Sequence, residues 1–124
     1  PQDFVEAERR SEEDLWERIR AEVLRGGLGV VGLDEVLWVA RAGQVESMIV
    51  DRTYRPEGRR CRDCGNLEAA AVEGCTACGS KSLFTVDMVN EIVEMLELTG
   101  ASADFADPIP TLTGAGGIAA LLRY

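Results

Sequence analysis

The chain has 124 residues, enough for one domain and short of two. Its 22 acidic and 13 basic residues give a net charge of −9, which argues against a general phosphate-binding surface. Histidine is absent, so Ser-His-Asp triads, Cys-His pairs and histidine metal ligands are excluded together. A hydrophobic share of 46% is that of a globular chain rather than a disordered one. No apolar run reaches the ~18 residues of a membrane span and no secretion signal is visible, so the expected location is the cytoplasm, with no membrane partner. The chain opens on Pro1 and is read as a segment of a longer protein.

In chain order, residues 1–25 form a charged helix whose apolar stripe is Leu15, Trp16, Ile19, Val23 and Leu24, with Ser11 and Asp14 spaced as a capping box. Gly26 and Gly27 end it. Residues 28–31 form a short strand, and Gly32 opens a second helix with Leu33, Val36, Leu37 and Ala40 on one face, stopped by Gly43. Residues 45–50 (VESMIV) read as a core strand. Periodicity is lost over 52–84 and returns as a helix over 86–98, with Val89, Ile92, Val93 and Leu96 inward. A strand at 102–105, a Pro/Thr/Gly loop at 106–116 and a final strand at 118–122 complete an α/β alternation with one inserted module.

That insert holds all four cysteines, as Cys61-x-x-Cys64 and Cys75-x-x-Cys78 with ten residues between the pairs. Each pair is followed by glycine, Gly65 or Gly79, which tolerates positive φ and lets backbone N–H groups turn toward thiolates. Two such knuckles make a closed four-sulfur site suited to zinc, structural because no coordination position stays open. Paired disulfides need an oxidising compartment, and a redox Cys-x-x-Cys normally stands alone. The mini-domain is expected at 57–82.

Charge is uneven. Arg52, Arg55, Arg59, Arg60 and Arg62 face only Glu57. They are candidate RNA contacts, but neutralising a zinc–thiolate centre of net charge about −2 is the favoured reading. Residues 87–107 carry six acids and no base, among them the candidate partner-binding residues Asp87, Glu91, Glu94 and Glu97, which would steer a basic partner, with Met88 or Met95 as adaptable contacts. Gly43-Gln44 is read as a helix stop, and 114–117 lacks the Lys-Ser/Thr of a phosphate loop. Trp16 and Trp38 are read as core or interface residues.

The stretch GLDEVLWVARAG (32–43) followed by QVESMIV (44–50) resembles the third domain of archaeal and eukaryotic class-1 peptide chain release factors. So do LTGASA (98–103) and the closing GGIAALLRY (116–124). Ala115 stands where that family usually has phenylalanine, and Pro108 and Pro110 depart from its acidic, glycine-containing loop. The resemblance implies a three-layer α/β/α sandwich like the kink-turn-binding ribosomal proteins, with an inserted archaeal-style zinc ribbon. It also implies a non-catalytic docking domain for a translational GTPase or a ribosome-recycling ATPase, reaching the ribosome through its parent protein; the charge of −9 adds the expectation that the domain binds RNA weakly by itself. The rival expectations are an RNA- or ribosome-binding module of the kink-turn type and a structural zinc domain for self-association.

Overall fold

The computed structural model describes residues 2–70 and 72–124, and the side chains of 2–9 lie outside that description. Helix α1 (Gln2–Leu24) buries Trp16 and Ile19 and half-buries Leu15 and Val23. Leu24 departs from the expected stripe at 80% exposure, because nine residues at ~100° each place it half a turn around from Leu15. A helix that begins at Gln2 puts Ser11 in its interior, where no unpaired N–H waits for a cap, so the expected capping box is not one.

Strand β1 (Gly29–Val31) leads through Gly32, at φ 92, into helix α2 (Leu33–Arg41). Helix α2 buries Val36, Leu37, Val39 and Ala40 and leaves Trp38 outside the core at 72% exposure. Strands β2 (Val45–Asp51), β6 (Ser102–Ala106) and β7 (Ile118–Leu122) join β1 in a four-stranded sheet of order β1-β7-β2-β6. Strand β7 runs antiparallel to β1 and β2, whereas β2 and β6 are parallel, with Ile49 opposite Asp104. Period-2 alternation divides the apolar residues between two faces. Ile49, Ala119 and Leu121 join Trp16, Ile19, Ala106 and Leu112 in one cluster. Met48, Val50 and Ala120, equally buried, point the other way, and α2 packs against β7; helix α3 (Met88–Thr99) buries Leu96. The result is the expected α/β/α layering.

Two elements differ from expectation. Residues 86 and 87 belong to a strand, because Val86 pairs with Gly58 and Asp87 with Glu57; the Asp87 carboxylate then accepts the N–H groups of Val89 and Asn90 and starts α3. Within the 106–116 loop, Pro110 at the first helical position opens a single turn, α4 (Pro110–Gly114), which buries Leu112.

The chain divides into two compact units: Pro1–Tyr54 with Val93–Tyr124, and Arg55–Ile92. The second unit is a three-stranded antiparallel sheet of order β4-β3-β5, from β3 (Glu57–Cys61), β4 (Leu67–Glu68) and β5 (Leu83–Asp87). Gly58 is required there, since a Cβ would lie 2.2 Å from Met88 Sδ and 2.5 Å from the Glu68 carbonyl oxygen. Met88 is fully buried and is therefore no adaptable surface contact; Met95 is half-buried.

Asp51, 4% exposed, is the one buried charged residue among those described. It accepts the Thr53 N–H at 2.9 Å, the Thr53 hydroxyl at 2.8 Å and the Thr113 hydroxyl at 3.0 Å, tying the end of β2 to α4. The Thr53 N–H outweighs burial and, with the two hydroxyls, holds this carboxyl below its usual range. Its stabilising effect is therefore complete above the unfolded-state value of about 3.9 and is lost as pH falls through the lower folded value. Asp51→Ala is expected to lower stability by about 1–3 kcal/mol at pH 7, with the gap narrowing below about pH 4, as read by urea denaturation at both pH values.

Candidate metal centre and apolar groove

The two Cys-x-x-Cys turns bring the Sγ atoms of Cys61, Cys64, Cys75 and Cys78 within 4.8 Å of one another. Cys61 Sγ is 3.6 Å from Cys78 Sγ and Cys64 Sγ is 3.5 Å from Cys75 Sγ, contacts between knuckles rather than within them. Tetrahedral sulfurs at ~2.3 Å from a metal lie about 3.8 Å apart, so the donor set fits a four-thiolate dication. The knuckles close locally. Gly65 (φ 77) donates its N–H to the Cys61 carbonyl and Gly79 (φ 78) to the Cys75 carbonyl, so both glycines adopt the positive φ their spacing suggested.

Backbone donors favour charge on two of the sulfurs. Cys75 is lowered to about 6, first by the Cys78 N–H and also by the Ala77 N–H, which lies 3.4 Å from its sulfur. Cys61 is lowered chiefly by the Cys64 N–H. Cys64 goes the other way, to about 12: the Asn66 N–H lowers it but is outweighed by the Cys75 sulfur, burial and the other two thiols. Cys78 is also raised; the Ser80 N–H and Cys64 lower it, and Cys61, burial and Cys75 prevail. Four thiolates this close repel one another, and a bound dication removes that repulsion.

The five arginines take separate partners. Arg52 lies in the α/β unit, donating to the Phe105 carbonyl at 3.0 Å and sitting 3.8 Å from Asp107. Arg55 is 3.5 Å from Asp87, and Arg59 donates to the Gly58 carbonyl. Arg60 binds Glu91 at 2.6 Å and reaches the knuckle backbone at Gly65. Arg62 lies over the Phe84 ring, 4.8 Å from its centre. The four acids separate as well: Asp87 and Glu91 are committed to these partners, while Glu94 and Glu97 are exposed on α3. The 106–113 segment follows β6, and its Leu112 enters the cluster that holds Trp16 and Ile19.

A second feature escaped the sequence reading. A groove of about 300 Å³ runs between α1, β1 and α4, walled by Trp16, Val23, Leu24, Val31 and Ala115, with Arg20 and Thr111 at its rim. Trp16 Nε1 donates to Thr111 Oγ1 at 2.7 Å, joining α1 to α4.

The fold and the sulfur site together define an α/β domain with the fold of release-factor C-terminal domains and an inserted four-cysteine cluster. By descent, the chain is homologous to the C-terminal domain of archaeal peptide chain release factor subunit 1. The relative from Archaeoglobus fulgidus is 32% identical over 129 aligned positions, covering 91% of this chain. This chain spans about a third of that relative's length, 32%. The C-terminal domain of a peptide chain release factor from Methanosarcina mazei superposes with a TM-score of 0.74 at 24% identity, over 99% of this chain and 87% of that one. Archaeoglobus fulgidus Pelota gives 0.63 at 19% identity, over 97% of this chain and 31% of that one. Pelota in a ribosome-bound archaeal Pelota–ABCE1 assembly gives 0.58 at 19% identity, over 98% and 29%. No protein-family profile matches the sequence. No helix among the described residues is long and apolar enough to cross a membrane.

Elemental analysis of reduced protein is expected to find one dication per chain, falling to none in Cys64→Ser. Chelation is expected to unfold the three-stranded sheet while the four-stranded sheet persists, as followed by amide hydrogen exchange. Two disulfides in the purified protein would contradict this.

Proposed function

We propose that this chain is a non-catalytic docking domain of a release-factor-like translation protein, engaging a translational GTPase or an ABCE1-type recycling ATPase. The observation that carries the reading is the groove between α1 and α4. Docking surfaces combine apolar anchors with a polar rim on preformed elements, and here exposed Leu24 and half-buried Val23, Val31 and Ala115 lie beside Arg20 and Thr111. The ribosome-bound assembly of a structural neighbour with ABCE1 supports a partner of this class.

In this reading the metal is zinc, held by Cys61, Cys64, Cys75 and Cys78. It closes a mini-domain at 57–82 that is too small to bury a core of its own. Glu94 and Glu97 steer the partner's approach. Asp87 and Glu91 contribute through the structure they hold, and the arginines make no strong RNA site on a chain of charge −9.

The test compares binding of the purified archaeal GTPase and of ABCE1 to the wild-type domain, Leu24→Asp and Ala115→Asp by calorimetry. Each groove variant is expected to lose at least about tenfold in affinity, the weight of one interface anchor. Glu94→Lys with Glu97→Lys should mainly slow association and flatten its salt dependence. Unchanged affinity in both groove variants would remove the groove from docking, and tight binding of a kink-turn RNA with a steep salt slope would replace the proposal with an RNA-binding role.

A further inference from the structure

Outside the sulfurs, polar side chains of the ribbon link its two knuckles to each other. Glu68, half-buried on β4, takes three hydrogen bonds on one carboxylate oxygen, Oε1. Asn66 Nδ2 donates at 2.7 Å from just past the first knuckle. The Thr76 N–H, at 3.2 Å, and the Thr76 hydroxyl donate from inside the second. A smaller clasp runs the other way: Asp63, inside the first knuckle, accepts the hydroxyl of Ser80, just past the second. The Ser80 oxygen in turn accepts the Ser82 N–H at 3.1 Å, which fixes its direction.

The residues gripped in this way carry or adjoin the backbone donors that face the sulfurs. The Asn66 N–H bonds the Cys64 sulfur, and the Ala77 N–H, on the peptide that follows Thr76, lies 3.4 Å from Cys75 Sγ. Glu68 therefore steadies one sulfur-directed donor in each knuckle. Asp63 and Ser80 do the same for the other two sulfurs, since their own N–H groups bond Cys61 and Cys78. A carboxylate beside a zinc–thiolate centre of net charge about −2 is repelled by it. Three donors hold Glu68 in place against that repulsion, and hydrogen bonds to a charged acceptor are about twice as strong as neutral ones.

We propose that Glu68 is a positioning residue of the metal centre: by binding Asn66 and Thr76 on one oxygen it sets the two knuckles in register and aims backbone N–H groups at Cys64 and Cys75. Zinc is then held more tightly, and released more slowly, than by four sulfurs on unlinked turns. The gain has a physical source. Each knuckle must be ordered before its sulfurs can meet one ion, and a link between the knuckles lowers that ordering cost. Groups that orient ligands from outside the coordination shell change metal affinity by about 10–100-fold in metal sites generally. Asp63, exposed and holding one hydroxyl, carries the smaller share.

The inference rests on the reading of the four cysteines as a zinc site, and the experiment separates the two. Zinc affinity of the reduced 124-residue chain is measured by competition with a chromophoric chelator. The proteins compared are wild type, Glu68→Ala, Glu68→Gln, Thr76→Ala and the double variant Glu68→Ala with Thr76→Ala. Cobalt(II) spectra of the same proteins report the geometry at the sulfurs. Glu68→Ala is expected to weaken zinc binding about tenfold or more and to shift the sulfur-to-cobalt charge-transfer band. Glu68→Gln, whose amide oxygen still accepts hydrogen bonds, should lose less, and Thr76→Ala should lose part of the Glu68→Ala effect. Because Glu68 acts through Thr76, the double variant should bind zinc no more weakly than Glu68→Ala. Leu67→Ala, cut into the buried interior of the ribbon, is the control for loosened packing: it should weaken zinc binding and leave the cobalt spectrum unchanged. Should Glu68→Ala fail to fold, the cycle is run on Glu68→Gln. Unchanged affinity in either single variant, losses that add in the double variant, or an equal spectral shift in Leu67→Ala would overturn the positioning role and leave the zinc site standing. A wild-type chain that takes up no zinc would overturn both.

Discussion

Parallel neighbours in a sheet cannot be joined by a tight turn, and in this chain β2 and β6 are parallel neighbours. The backbone therefore leaves the sheet after Asp51 and re-enters it at Ser102, and that excursion accommodates both the cysteine ribbon and α3. Strand β7, returning antiparallel between β1 and β2, closes the sheet and places Ile118–Leu122 at its centre. Arg123, just beyond, ties the arrangement at one end. Its backbone N–H bonds the Gln44 carbonyl, and its guanidinium bonds the carbonyls of Val45 and Thr99.

At the opposite end of β2, one buried carboxylate organises the polar contacts. Asp51 accepts from Thr53 and Thr113 and donates its backbone N–H to Gly117. Gly117 needs its positive φ of 79° there, and a Cβ would meet the Tyr54 ring at 3.1 Å. These contacts, with the bond from Trp16 to Thr111, hold a helix of only five residues in a defined position. The groove owes its shape to them, since α4 is too short to be stable alone.

The ribbon has a different basis of stability. It is a small sheet whose strands have two to five residues, and two of its four sulfurs are exposed. Its order comes from the sulfur cluster and a few fixed contacts, such as Gly58 against Met88 and Arg60 against Glu91. Acidic residues that look like a free surface in the sequence are partly consumed by these contacts. A charge census along the chain does not report which charges pair.

Local signals were enough for much of this protein. The Cys-x-x-Cys-Gly repeats announced the metal centre because adjacent residues build each knuckle. Period-2 and period-3.6 patterns placed β2, β7, α2 and most of α1 because each buries one continuous face. Val86 and Asp87 were misread as helix because their apolar and acidic pattern suits either element. Pairing with Gly58 and Glu57, nearly thirty residues earlier, decides the matter. The turn at α4 was hidden for the same reason: Leu112 becomes helical and buried only against Trp16, Ile49 and Ala119. The groove could not be read at all. It is defined by which helices meet beside β1, a property of the assembled sheet. The residues that make it, such as Leu24, Val31 and Ala115, are ordinary ones whose meaning comes from what stands next to them.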